Sequence, residues 1–373
     1  MDVDRKIALL GGLSPASFMK RHWQKKPLLV RQAWPGVVPP LARSALFDLA
    51  GSDEVESRLV ARDGERWRVR PGPLPRRALP PVSRAGWTLL VQGLDLHVPA
   101  AHELLHAFRF VPDARLDDLM VSWASDGGGV GPHLDSYDVF LLQVQGQRRW
   151  QIGRVRDAAW VPGAPLKLLR HFQAEQEWLL APGDMLYLPP MWGHDGVAVG
   201  GNCMTCSVGF RAPAAEELAR DLLQRLGEED VLPSPLYRDR TQAATAHPGA
   251  IPPALQAFAQ AALAQRLAEP GWLARALGES LSEPKPQVWF DGAGHGRGDG
   301  PVHLAVRTRM LYDESHVFIN GEAFEARGRD ARLMHQLADD RVLPAAQVRQ
   351  LGDAARALLD EWIVAGWATG GEA

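Results

Sequence analysis

From Ser136 to Gln145 the chain reads Ser-Tyr-Asp-Val-Phe-Leu-Leu-Gln-Val-Gln. Aromatic, β-branched and aliphatic residues dominate, as in a largely buried β-strand. Gly146-Gln147 is expected to turn the chain, and Arg148-Arg149-Trp150-Gln151-Ile152-Gly153 to open a further strand. Downstream, Ala181-Pro182-Gly183-Asp184 reads as a turn and Met185-Leu186-Tyr187-Leu188 as a short apolar strand ended by Pro189-Pro190. Gly200-Gly201 is expected to turn into another strand, Asn202 to Phe210. The first part of the chain is therefore strand-rich.

Directly before the first of these strands stands Gly131-Pro132-His133-Leu134-Asp135. Residues two apart on a strand share a face, so one strand can present His133 and Asp135 together. His194, in Pro189-Pro190-Met191-Trp192-Gly193-His194, must then come from another strand, as closure through a β-barrel allows. Two His and one carboxylate on one face of a metal, with other positions open, suit a non-haem Fe(II) oxygenase. The open positions accept a bidentate 2-oxo acid and O2. Asp195 stands beside the third ligand, either supporting it or simply exposed.

Arg148, Trp150 and Ile152 share one strand face. If that face is the interior, Arg148 is a buried cation that requires an anion, and a dicarboxylate provides a two-pronged partner. The alternative is that Arg148 and Arg149 are both solvated strand-edge charges.

With these motifs in place, the chain resembles the JmjC-type oxygenases of the cupin superfamily, and among them the bacterial ribosomal oxygenase group, arginine hydroxylases of a large-subunit ribosomal protein. The resemblance covers nearly the whole chain. It rests on His22-Trp23-Gln24-Lys25-Lys26-Pro27-Leu28-Leu29-Val30-Arg31, on Asp117-Asp118-Leu119-Met120-Val121-Ser122, on Gly127 to Asp138, on Gly146-Gln147-Arg148-Arg149-Trp150, and on Ser207-Val208-Gly209-Phe210-Arg211-Ala212-Pro213. It implies a mixed, mainly β fold: a double-stranded β-helix barrel over residues 1–212, a helical dimerisation segment over 213–282, and a winged-helix-like domain over 283–373. It implies Fe(II) on His133, Asp135 and His194, and 2-oxoglutarate with its distal carboxylate on Arg148, with O2 consumed. The family often has Asn where this chain has Thr205, next to the cofactor. The substrate implied is an arginine side chain of a ribosomal protein, for which Asp118, Tyr137 and Ser207 are candidate contacts. A homodimer is implied as well.

Composition narrows the remaining classes. A chain of 373 residues with 46% hydrophobic content has the length and apolar mass for more than one core. A net charge of −3 gives no global basic field for nucleic acid. The segment from Pro301 onward has 8 Arg, no Lys and 11 acidic residues, which speaks against phosphate contacts by a winged helix. No apolar run is long enough for a membrane span, and Met1 to Lys6 lacks a signal-peptide pattern. The cytoplasm is the expected compartment, and no nucleic-acid or membrane partner is expected. Cys203 and Cys206 are the two cysteines; on a strand, positions three apart face oppositely, so a structural reading is preferred to a redox or zinc pair.

Three short motifs compete. His102-Glu103-Leu104-Leu105-His106 matches the zinc-protease pattern, but Arg109 and Pro112 stand where its extended form needs Gly and His, and no Glu occurs between Glu103 and Glu175 to serve as a nearby third ligand. Gly127 to Gly131 lacks the Gly-Lys-Ser/Thr ending of a phosphate loop. Arg297-Gly298-Asp299, in a Gly-rich setting, reads as an ordinary loop. A non-catalytic cupin-like binding module is the second functional class. Intact His133, Asp135, His194 and Arg148 favour the hydroxylase.

Overall fold

The computed structural model describes residues 2–228, 236–240, 242–292 and 300–371. The Arg297-Gly298-Asp299 tripeptide lies outside the described residues. Two compact units divide the chain, Met1–Ala212 and Pro213–Ala373.

The first unit is built on one sheet of nine strands: β1 (Leu28–Val30), β2 (Ser57–Asp63), β3 (Arg66–Pro71), β4 (Trp87–Val91), β5 (Leu116–Ala124), β6 (Val139–Arg154), β7 (Gln176–Leu180), β8 (Met185–Leu188) and β9 (Trp192–Phe210). The order is β1-β8-β6-β9-β5-β4-β2-β3, with β7 also on β6, and each pairing is antiparallel. The sheet curls so that residues of β2, β4, β5, β6 and β9 line a common cavity. This is the mainly β, double-stranded β-helix architecture expected above.

Helix α1 (Pro15–Arg21) starts at Ser14, whose hydroxyl accepts the Ser17 N–H at 3.2 Å, with Pro15 in the first turn. It buries Phe18 completely, edge-on to Tyr187 at 4.9 Å and beside Phe140 at 5.4 Å. Helices α2 (Arg43–Leu49) and α3 (Pro99–His106) bury Leu46, Phe47, Ala101, Leu104 and Leu105 in the same core.

Three local expectations are corrected. Gly146-Gln147 is not a turn: β6 runs on from Val139 to Arg154, and the chain bends within the strand. Gly146 takes φ +65°, and the pairing with β9 shifts register between Gln143 and Gln147. Gly200-Gly201 likewise lies inside β9, where Gly200, Gly201 and Asn202 all have positive φ. Two long paired strands each absorb extra residues as bulges, which bends both and lets them follow the curl of the sheet. Finally, His133 and Asp135 sit on an extended segment held by a single bridge rather than on a regular strand, and Tyr137 lies at a bend.

The second unit begins with helices α4 (Ala215–Glu228), α5 (Pro253–Leu267) and α6 (Trp272–Ser282). Leu226 of α4 and Trp272 and Ala276 of α6 form a small core between those two helices. Strands β10 (Val302–Leu304), β14 (Val342–Leu343) and β15 (Ala368–Gly370) form one three-stranded sheet, and β11 (Met310–Tyr312), β12 (His316–Ile319) and β13 (Glu322–Glu325) another. With α7 (Gly328–Asp340), α8 (Ala345–Val348) and α9 (Asp353–Val364) they enclose a core around Leu337, Leu359 and Trp362. The helical stretch expected from Pro344 to Trp367 is broken at Leu351-Gly352, where the Gly352 N–H bonds Asp330. No helix among the described residues is long and apolar enough to cross a membrane.

Candidate active site

The segment that precedes β6 runs against the start of β9. The His133 N–H donates to the His194 carbonyl at 3.0 Å, and the His194 N–H returns to the His133 carbonyl at 2.8 Å. The Met191 N–H holds the Asp135 carbonyl at 2.8 Å. Candidate donor atoms of His133, Asp135 and His194 thus all lie within 4.8 Å of one another. Both imidazoles are oriented from behind. His133 Nδ1 bonds the Gly131 carbonyl at 2.8 Å and His194 Nδ1 the Trp192 carbonyl at 3.0 Å. A carbonyl only accepts, so each Nδ1 carries the proton and each Nε2 keeps a lone pair for a cation. His194 Nε2 stands 3.6 Å from Asp135 Oδ2. Burial, then the neighbouring His133, push the His194 pKa down to about 4, so the imidazole is neutral and ligand-ready at neutral pH.

These three residues open into a cavity of about 600 Å³. Arg148, Thr205, Asp118, Tyr137 and Ser207 line it too. Arg148 is 4% exposed, and its Nε and Nη2 have no hydrogen-bond partner among the described residues. Its guanidinium lies 5.7 Å from the Trp150 ring centroid, with no carboxylate of the described residues in ion-pair contact. Arg149, on the other face, is exposed. Gly196 makes the room: a Cβ there would fall 2.5 Å from the Trp150 ring. Thr205 donates to Gln143 Oε1 at 2.9 Å, so its hydroxyl is engaged within the wall. Ser207 stands two residues further along the same face of β9.

Asp118 is 7% exposed, and its Oδ2 accepts the Gly93 N–H at 2.9 Å. Tyr137 stands at the mouth. Burial, and then the Asp135 and Asp118 carboxylates, push its phenol well above the usual range, so it remains a hydrogen-bond donor.

Comparison with known proteins adds the family. Residues 103–218 match the model of the JmjC domain, and residues 299–369 that of the ROXA-like winged helix. The ribosomal protein uL16 3-hydroxylase of Escherichia coli is 33% identical over 326 residues, 84% of this chain and 86% of that protein. The X-ray structure of E. coli YcfD superposes with a TM-score of 0.81 at 30% identity, covering 95% of this chain and 98% of that one. A second structure of YcfD, a ribosomal oxygenase in complex with cobalt and 2-oxoglutarate, superposes at 0.76 with 29% identity, over 96% and 98% of the two chains. The chain belongs to the JmjC family of ribosomal oxygenases.

Several features of this ribosomal oxygenase escaped the sequence reading. Asp138, fully buried, accepts the Tyr187 hydroxyl at 2.6 Å and Gln24 Nε2 at 3.1 Å, while Tyr187 Oη receives the Gln24 N–H at 2.8 Å. The network ties the N-terminal segment to β8 and to the turn after Asp135. Its only signal was an ionisable residue before an apolar run. Arg58, near the start of β2, and Gln92, just past the end of β4 that pairs with it, and Pro165, Leu166 and Lys167, from the loop before β7, also line the cavity. The rival motifs supply no second metal site. His102 and His106 share a face of α3 with rings 4.4 Å apart, but Glu103 points to solvent. Among the described residues the triad is the one His/Cys/Asp/Glu group suited to a cation. Cys203 and Cys206 are free and buried in separate clusters, as opposite strand faces require.

Proposed function

We propose that this ribosomal oxygenase is an Fe(II)- and 2-oxoglutarate-dependent hydroxylase of an arginine side chain in a large-subunit ribosomal protein. Arg148 carries the reading. A buried guanidinium with two orphaned N–H groups costs several kcal/mol unless an anion meets it. The cavity it faces also holds the three-residue ligand set, so Arg148 would hold the anionic end of a dicarboxylate beside the residues that would hold a metal.

His133, Asp135 and His194 would hold the iron, and Arg148 the distal carboxylate of 2-oxoglutarate, with Thr205 in the wall beside it. When bound, Fe(II), 2-oxoglutarate and O2 supply oxidation of a substrate C–H bond, with succinate and CO2 as co-products. The chain's own contribution is positioning. Nδ1 bonds fix both imidazole planes. The apolar wall of Val139, Leu141 and Trp150 limits water. Asp118, Tyr137 and Ser207 are proposed to orient the substrate side chain: Asp118 by its charge toward a guanidinium, Tyr137 by its protonated hydroxyl, Ser207 by a further hydrogen bond. The buried carboxylate of Asp118 favours a cationic arginine over a histidine that is neutral at working pH.

The likeness to a uL16 3-hydroxylase makes that ribosomal protein the first substrate to try. The cytoplasm, where ribosomes assemble, is the matching compartment. Mass spectrometry of large-subunit proteins, with and without the enzyme, tests the reading. A +16 Da arginine present only with active enzyme is the expected result; an oxidised histidine, or no change, would overturn arginine specificity.

Self-association through the helical segment 213–282 is part of the proposal. Leu223 on α4, Leu263 and Leu267 on α5 and Leu273 on α6 are each 45% or more exposed, an apolar surface that a partner copy would cover.

A further inference from the structure

The chain's net charge of −3 conceals a strongly basic element. Between Ser57 and Gly86 stand Arg58, Arg62, Arg66, Arg68, Arg70, Arg76, Arg77 and Arg84, against only Asp63 and Glu65. All eight arginines are exposed. Among the described residues strand β3 ends the sheet with β2 as its single neighbour, so its outer edge is unpaired by them. Arg66, Arg68 and Arg70 lie opposite Asp63, Ala61 and Leu59 and share one face. Two residues of strand rise place successive guanidinium stems about 7 Å apart. Among the described residues none of the three has a carboxylate in ion-pair contact, and Arg70 reaches the Ala78 carbonyl at 3.2 Å. The strand's other face carries Trp67, stacked under Arg62 at 5.3 Å. Trp67 packs behind Gly131, two residues before His133. The basic edge therefore adjoins the segment that carries the proposed metal ligands.

We propose that the β3 edge binds the phosphate backbone of single-stranded RNA. Three observations favour that occupant. The cations are all arginine, whose planar fork matches phosphate in two-pronged contacts. They repeat in register along an extended edge, as successive phosphates of an extended strand do. Their own carboxylate neighbours leave them unneutralised. A bilayer surface fits less well, because no apolar side chain projects among Arg66, Arg68 and Arg70. The use of such a surface, gripping RNA next to a ribosomal-protein substrate, rests on the function proposed above. The binding itself does not, and the test reads binding alone.

Fluorescence anisotropy of a short labelled RNA of mixed sequence, titrated with the full chain across a series of salt concentrations, measures it. The wild type should bind, with log affinity falling linearly against log salt. Arg66→Ser/Arg68→Ser/Arg70→Ser should lower affinity at least about tenfold and reduce the slope by about 2, since each single-strand phosphate contact contributes roughly 0.7. The Arg66→Lys/Arg68→Lys/Arg70→Lys variant, which keeps the charge, should keep most of the slope and show that the serine variant's loss is not a loss of fold. Equal RNA binding by the serine variant overturns the proposal. So does tighter binding of polyglutamate or of anionic phosphatidylserine vesicles than of RNA. So does an absence of RNA binding with self-association appearing only in the serine variant, which would mean that the arginines merely guard the sheet edge.

Discussion

His133 and His194 are main-chain partners, each donating its N–H to the other's carbonyl. The spacing of the two imidazoles is thus set by backbone hydrogen bonds, not by the side chains that would bind metal. Their ring centroids lie 4.1 Å apart.

Removal of a ligand side chain should therefore spare the fold. Asp135→Ala is expected to keep a wild-type thermal transition while losing saturable Co(II) binding by calorimetry and succinate formation from 2-oxoglutarate. Wild-type turnover by this variant would sink the ligand assignment.

Arg148 and Arg149 should behave very differently. Breaking a buried ion pair costs about 3–5 kcal/mol, and every 1.4 kcal/mol or so is tenfold in affinity. Arg148→Ala is expected to weaken 2-oxoglutarate a hundredfold or more in anaerobic titration, with metal binding nearly intact. Arg149→Ala, on the exposed face, should change it little. Sensitivity at Arg149 instead would mean that the opposite face of β6 lines the site.

Gly146 is a stringent position. It has φ +65°, and a Cβ would meet the Asn202 carbonyl oxygen at 2.9 Å. Left-handed backbone costs a side-chain-bearing residue about 1–2 kcal/mol. With the contact added, Gly146→Ala should destabilise the protein by about 2–3 kcal/mol and weaken 2-oxoglutarate binding through Arg148. A denaturant melt matching wild type would contradict the bulge.

Asp184 makes the acid limb of stability. Burial alone would raise its pKa, but the Gln32 and Ala181 N–H groups and the Arg31 guanidinium outweigh that and hold it below the usual range. The unfolded chain takes up the proton first. Stability from this carboxylate is therefore complete above pH 3.8, the ordinary value, and is lost as pH falls through the lower folded value. Asp184→Asn should cost about 2 kcal/mol at neutral pH and flatten the decline in melting temperature below pH 4. A parallel decline in both proteins would exclude the role.

For the helical segment, light scattering at micromolar concentration should give a dimer mass. Leu263→Glu with Leu267→Glu should give a monomer that keeps its far-ultraviolet spectrum. A wild-type monomer would remove self-association from the proposal.

The residue types of the site were legible in the sequence, because chemistry restricts them: His-x-Asp, a distant His, and an arginine beside an aromatic. The β class was legible too, since runs such as Val139 to Val144 bury only as strands in this setting. What the tertiary structure decided was which residues face inward. Val139 and Leu141 line the cavity at odd positions of β6, yet Arg148 and Trp150 line it at even ones. The bulge at Gly146 reverses the alternation, and that around Gly200 to Asn202 does the same on β9, between His194 and Thr205. Had β6 kept a strict two-residue period from Leu141, Arg149 would have entered the cavity. Side-chain alternation is local and can be read from a sequence. Where it slips depends on how two long strands pair and bend together, and those contacts lie too far apart along the chain for any local pattern to record.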